Sequence, residues 1–210
     1  MVLTWRYQDG DPSVPPLRHG DALSFAEFRR LWELHPEVKS AQLIDGRVFI
    51  EPFVDEFHGL TSAIVIGWIA RFFFIPPRGV EPLAHMTTEL FGTQSVEADI
   101  LVRRHDGLST IDGEGRMHGP PELAVEVASD FSVGLDLGRK KELYCEAGVL
   151  EYIVFQQDRI DWFILEDGKY RSLLPDANGV IESRLFPGLR LQVQAMLDQD
   201  IATVIAAVAQ

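Results

Sequence analysis

Hydrophobic positions along this chain switch between two spacings. From Ser24 they recur three to four residues apart, so Phe25, Phe28, Leu31 and Trp32 share one face of a predicted helix. Ser24-Phe25-Ala26-Glu27 has capping-box spacing, and Pro36 stops the helix nearby. Ala41–Ile44, then Asp45-Gly46, then Arg47–Ile50 predicts a hairpin, because Asp-Gly supplies the positive φ angles of a two-residue turn. Phe57 to Phe74 reads as a long, mostly apolar helix ended by Pro76-Pro77 and buried against a sheet. Short strands are expected near 80–84, 88–92 and 96–102, and the glycine-rich, charged stretch 103–120 reads as a loop. A strand over 122–128 leads to a helix at about 134–147, closed by Gly148. Strands follow over 151–155 and 159–166. Asp167-Gly168 turns into 169–174, a short strand near 180–186 precedes Pro187-Gly188, and an alanine-rich helix covers about 194–208. There is no internal repeat.

Helices interleaved with a strand meander predict an α/β (α+β) fold, with a mixed central sheet flanked by helices. Residues 1–22, which contain Pro12, Pro15 and Pro16, are expected to form an irregular arm, and residues 23–210 one domain. No apolar run reaches the roughly 18 residues of a membrane span, and no basic-then-apolar leader opens the chain. The expectation is a cytoplasmic protein. The single cysteine, Cys145, excludes an intramolecular disulfide and a Cys-rich zinc site, and reads as a helix filler. The net charge of -13 is awkward for a nucleic-acid protein. Positive charge is scattered over Arg29-Arg30, Arg103-Arg104 and Arg139-Lys140-Lys141. A metal in an acidic site would offset part of that imbalance.

Two carboxylates interrupt apolar, strand-like runs: Asp99 in Ser95–Val102 and Glu126 in Pro121–Ser129. Burying a carboxylate is costly unless it has a partner. Strand alternation puts Glu126 on one face with Ala124 and Ala128, which leaves room for an ion beside it. The bland alternatives are a Glu126 paired to an Arg or Lys and an Asp99 capping a loop. Two carboxylates on adjacent strands suit Mg²⁺ or Mn²⁺, which prefer oxygen ligands and retained waters. Asp136, Lys140 and Tyr144 follow at i, i+4 spacing on one helix face. They read either as a solvated ion pair with a packing tyrosine, or as a lysine leaning over the strand pair toward a phosphate or an attacking water. His58, at the start of the long helix, fits a polar core role as well as an active-site role. The five other histidines form no metal-ligand spacing.

The run Glu126-Val127-Ala128-Ser129, Asp136-Leu137-Gly138-Arg139-Lys140, Tyr144, Gly148-Val149 and Glu151–Val154 resembles the Uma-two family, a bacterial group within the PD-(D/E)xK nuclease superfamily. Leu43–Gly46, His58 and Pro187-Gly188-Leu189 fall in matching order, so the resemblance spans about residues 24–197. It implies a restriction-endonuclease-like core with an additional β-meander. It implies a Mg²⁺ or Mn²⁺ site made by Asp99 and Glu126 with the Val127 main-chain carbonyl, and Lys140 as the basic catalytic partner. Asp136, Tyr144 and His58 would support them. The implied activity is metal-dependent hydrolysis of DNA, with no membrane partner. Three departures stand out: Ala98 replaces the usual proline, Ala128 the usual lysine, and Gln42 the usual glutamate. Gln42, Ala128 and the acidic charge favour the alternative, a catalytically inactive binding or regulatory protein. Hydrolysis of a small phosphoester is a third reading. Convergence of the two downstream basic clusters on one rim of the site would favour the nuclease. A homodimer through the late strands and the C-terminal helix is also expected.

Overall fold

The computed structural model describes residues 14–50, 54–75 and 78–208. The first part of the expected arm, Pro12 included, and the Pro76-Pro77 stop lie outside the described residues. Helix α1 (Phe25–Leu34) begins as its sequence dictates: the Ser24 hydroxyl accepts from the Glu27 amide, and the Glu27 carboxylate accepts from the Ser24 amide. It buries Phe28 and Leu31 against Leu43 and Val48 of the hairpin β1 (Gln42–Ile44) and β2 (Arg47–Phe49). The turn between them holds Asp45 at φ 49° and Gly46 at φ 73°, the left-handed pair that Asp-Gly tolerates.

Helix α2 (Glu56–Phe74) starts at Asp55, whose carboxylate accepts from the His58 amide. By length and a mean hydropathy of 1.4 it could cross a membrane. Here it is a core element: Val65, Trp68, Ile69 and Phe72 pack in one cluster with Val125, Ile153 and Trp162 of the sheet. That sheet contains β3 (Val80–Leu90), β4 (Gln94–Arg104), β5 (Thr110–Ile111), β6 (Met117–His118), β7 (Leu123–Val127), β8 (Glu151–Phe155), β9 (Ile160–Glu166) and β10 (Lys169–Leu173). Its order is β10-β9-β8-β7-β4-β3-β6-β5, with β1 and β2 joined at β4. The β7–β8 and β3–β6 pairs are parallel and the others antiparallel, so the sheet is mixed.

Several expectations need correction. The two short strands near 80–84 and 88–92 are one continuous β3, with a kink at His85 (φ 51°) where a break was expected. The loop over 103–120 carries β5 and β6, and β6 adds to the sheet beside β3. The helix at 134–147 is broken into α3 (Val133–Leu135), a π-turn (Asp136–Lys140) and α4 (Lys141–Ala147). Gly138, at φ -99° and ψ -110°, leaves helical geometry inside the π-turn. Gly148 ends α4 in the left-handed conformation, as its sequence position implied. The strand near 180–186 is shorter, β11 (Val180–Glu182), and pairs with β12 (Arg190–Gln192), which hydrophobic spacing missed. The C-terminal helix is two helices, α5 (Val193–Leu197) and α6 (Ile201–Ala206), parted at Gln199 (φ 56°).

Candidate active site

Strands β4 and β7 pair at three positions, Val102 with Leu123, Leu101 with Ala124 and Ile100 with Val125, and then separate. The next β4 side chain fills the gap. Asp99 Oδ2 accepts the Val127 amide at 2.6 Å, so a carboxylate stands where a main-chain carbonyl would continue the ladder. Asp99 Oδ1 lies 3.2 Å from His58 Nε2, brought there by the first turn of α2. Burial works to raise the Asp99 carboxyl, but His58 and the Val127 amide hold it below its usual value.

Glu126 is the neighbouring carboxylate, buried on β7. Lys140 Nζ approaches its Oε1 at 2.6 Å, and the Tyr144 hydroxyl donates to the same oxygen at 3.3 Å. The room that Ala124 and Ala128 leave is filled from the helix side, where Leu143 and Tyr144 pack in the same cluster as both alanines. Lys140 is only 1% exposed. Its Nζ also donates to the Glu97 main-chain carbonyl at 3.1 Å and faces Asp136 Oδ1 at 3.5 Å. Burial opposes a charged lysine, yet the Glu126 and Asp136 carboxylates hold Lys140 well above its ordinary value. Asp136 and Lys140 are therefore not a solvated pair: both are buried in the site. The π-turn gathers these groups, since Asp136 and Lys140 are its end residues and Tyr144 follows in α4.

Asp99, Glu126, Lys140, Asp136, Tyr144 and His58 thus form one polar cluster inside the protein. Two further members escaped the sequence reading. Glu97, two residues before Asp99 and on the same strand face, accepts from Ser40 Oγ at 3.1 Å and lies 3.6 Å from His85 Nδ1. Alternation with Asp99 could have flagged Glu97. His85 sits opposite Asp99, between the pairs Ala84–Ile100 and Met86–Ala98, in a left-handed conformation that no local signal announces. Gln42 accepts the Glu97 amide through Oε1 at 3.0 Å.

Among the described residues no group of three or more His, Cys, Asp or Glu side chains is arranged to hold a metal. A magnesium-type ion keeps several waters and needs only one or two carboxylates. The donor chemistry of Asp99, Glu126 and the Val127 carbonyl fits that requirement. The basic clusters do not converge. Arg139 is clasped by Asp45, Glu142 and Glu146, and Asp45 bonds Gln94 at the start of β4. Arg103 and Arg104, at the other end of β4, pair with Glu81 and Asp106. Nine residues of strand separate Gln94 from Arg103, about 30 Å. Lys141 lies over the Phe163 ring at 3.6 Å.

Comparison with known proteins adds to this geometry. The family model Uma2, described as "Putative restriction endonuclease", matches residues 25–194. A crystal structure of "a putative nuclease belonging to DUF820" from Anabaena variabilis ATCC 29413 superposes with a TM-score of 0.68 at 14% sequence identity. The match covers 84% of this chain and 98% of that one, which establishes a shared fold. No curated protein matches the chain.

Proposed function

The chain belongs to the Uma2 family, described as "Putative restriction endonuclease", and from that premise and the carboxylate cluster we propose a metal-dependent endonuclease that hydrolyses DNA phosphodiester bonds. The observation that carries this reading is the meeting of Asp99, Glu126 and Lys140 where β4 and β7 separate. In it, Asp99, Glu126 and the Val127 carbonyl hold Mg²⁺ or Mn²⁺. Such an ion, when bound, polarises a phosphoryl oxygen and lowers the pKa of water. Lys140, kept charged by its carboxylates, stabilises negative charge developing at the phosphate. Asp136 and Tyr144 hold Lys140 and Glu126 in place, and His58 orients Asp99. Residues 23–210 act as one domain, and a two-fold dimer would bring two sites to one duplex.

One set of observations favours the second reading, a catalytically inactive binding or regulatory protein. The basic clusters lie apart, most of their arginines are already paired with carboxylates, and Lys140 already engages Glu126. Calorimetric titration of Mn²⁺ into the wild type and into Glu126→Ala separates the two. The nuclease reading expects binding by the wild type that is lost in the variant, followed by metal-dependent cleavage in an oligonucleotide screen. A folded wild type that binds no Mn²⁺, alone or with an oligonucleotide present, overturns it.

A further inference from the structure

A cavity of about 340 Å³ opens between α1 and the β3–β4 face. Phe28, Trp32 and Val38 line it from the α1 side, and Thr87, Glu89 and Ser95 from the sheet. Its floor lies on the strand face that also carries Asp99. Ser95, Glu97 and Asp99 alternate along β4 and so share one face. On β3, Glu89 pairs with Ser95 and Thr87 with Glu97, while His85 falls opposite Asp99. From Ser95 to Asp99 is four strand residues, about 13 Å. That is a reach that one or two nucleotides of a single strand bridge.

The walls describe what fits. Phe28 and Trp32 bring two aromatic rings together, with centroids 5.4 Å apart. Two arginines lie beside them, but neither is free to hold a phosphate. Arg29 faces Glu89 at 3.7 Å and Glu114 at 3.5 Å. Arg116 is surrounded by Glu33, Glu89, Asp112 and Glu114. The pocket is therefore acidic on balance and repels an anion, while accepting a flat, neutral group. Polar recognition remains available. The Glu89 carboxylate is almost fully buried and can accept from an amino or ring N–H group.

We infer that this pocket seats an unpaired nucleobase of the substrate strand, stacked against Trp32, while a nearby phosphate of the same strand lies at Asp99. The inference rests on the nuclease reading for its phosphate end and narrows the substrate to single-stranded DNA or a duplex with an extruded base. A base held in a duplex stack cannot enter a cavity beneath a helix, whereas an unstacked base offers both its face and its edge.

The test uses the full chain, in EDTA and again in Ca²⁺, with a deoxyoligonucleotide carrying 5-iodouracil. Irradiation should crosslink the base to Trp32, as mapped by mass spectrometry, with no variant required. Fluorescence anisotropy should show the single strand binding more tightly than the same sequence as a perfect duplex. Trp32→Ala should weaken single-strand binding at least tenfold, and Trp32→Phe, which keeps a ring, less than threefold. Crosslinks away from α1, equal binding by Trp32→Ala, preference for the perfect duplex, or no single-strand binding by the wild type each overturn the pocket. Mn²⁺ titration of Trp32→Ala distinguishes the two failures. Wild-type metal binding with no base crosslink leaves the nuclease reading standing without this subsite. A base crosslink in a protein that binds no metal leaves the pocket standing without the nuclease reading.

Discussion

Replacing Lys140 by methionine removes a buried charge and leaves its carboxylates behind. Methionine approximates the lysine stem, so the change is mainly electrostatic and opens little cavity. Glu126 Oε1, 2.6 Å from the lost ammonium, and Asp136 Oδ1, at 3.5 Å, stay buried without a counter-charge. The Glu97 carbonyl loses a donor at 3.1 Å, and Tyr144 alone still donates to Glu126. Removing one partner of a buried pair costs roughly 3–5 kcal/mol. With a urea m-value of about 2 kcal/mol/M, the unfolding midpoint should fall by about 1.5–2.5 M. Two features mark the loss as electrostatic. Lys140→Met/Glu126→Gln should recover part of it, because the stranded charge is gone too. The deficit should also narrow as pH falls. Burial already holds the Glu126 carboxyl well above its ordinary value in the wild type, against the pull of Lys140; losing the ammonium raises it further, so the variant's folded state takes up a proton before the wild type's does and regains stability through that window. The measurement is urea denaturation of the three proteins at neutral and mildly acidic pH. A midpoint shift under about 0.5 M for Lys140→Met, or a double variant as unstable as the sum of the two singles, would falsify the claim of a buried ionic cluster.

Other parts of the structure give sharp expectations. The Glu151 carboxylate, fully buried, accepts from Trp162 Nε1, Ser183 Oγ and the amides of Arg184 and Leu185 at 2.7–3.1 Å. Glu151→Ala should cost roughly 3–5 kcal/mol by stranding those donors, and Glu151→Gln less; calorimetric melting that shows under about 1 kcal/mol for the alanine would refute it. Asp112 is held down to about 2 from an ordinary 3.8, first by the His118 hydrogen bond and then by the Arg116 amide. Its stabilisation is present above pH 3.8 and lost as pH falls through about 2, so Asp112→Asn should flatten that acid-side slope in hydrogen exchange of β5 and β6. Asp99→Asn keeps a carbonyl oxygen for the Val127 amide and should hold wild-type melting while losing Mn²⁺ binding. Asp99→Ala should lose both, with a stability cost of about 1–3 kcal/mol for the stranded amide.

Legibility followed the range of the cause. The capping box at Ser24, the Asp45-Gly46 turn and the Gly148 stop depend on contacts within four or five residues, and each formed as the residues implied. Asp99 and Glu126 were legible because a carboxylate in an apolar strand conflicts with its surroundings unless something answers it. What answered them was less legible. Lys140 reaches Glu126 from a π-turn, whereas the i, i+4 argument assumed a regular helix. His85 adopts a left-handed backbone inside an otherwise regular strand, and nothing in its neighbours announces that conformation. Pocket geometry was wholly invisible, since Trp32 and Glu89 meet only because β3 lies beside α1. Even so, the expectation of a mixed sheet flanked by helices holds, with the two carboxylates on neighbouring strands.

Asp99 explains why fold and chemistry are hard to separate in this protein. Strands β4 and β7 must part for their carboxylates to face a common space, and parting them strands the Val127 amide. The Asp99 side chain repairs the loss it accompanies, with one oxygen on that amide and the other toward His58. Glu126 is treated in the same way, because Lys140 and Tyr144 satisfy one of its oxygens within the protein. The two buried carboxylates are therefore both answered from within the protein, as burial of such groups requires. A bound ion would have to share Glu126 with Lys140. Activity and stability should then trade against each other at Lys140 more than at any other residue of the cluster.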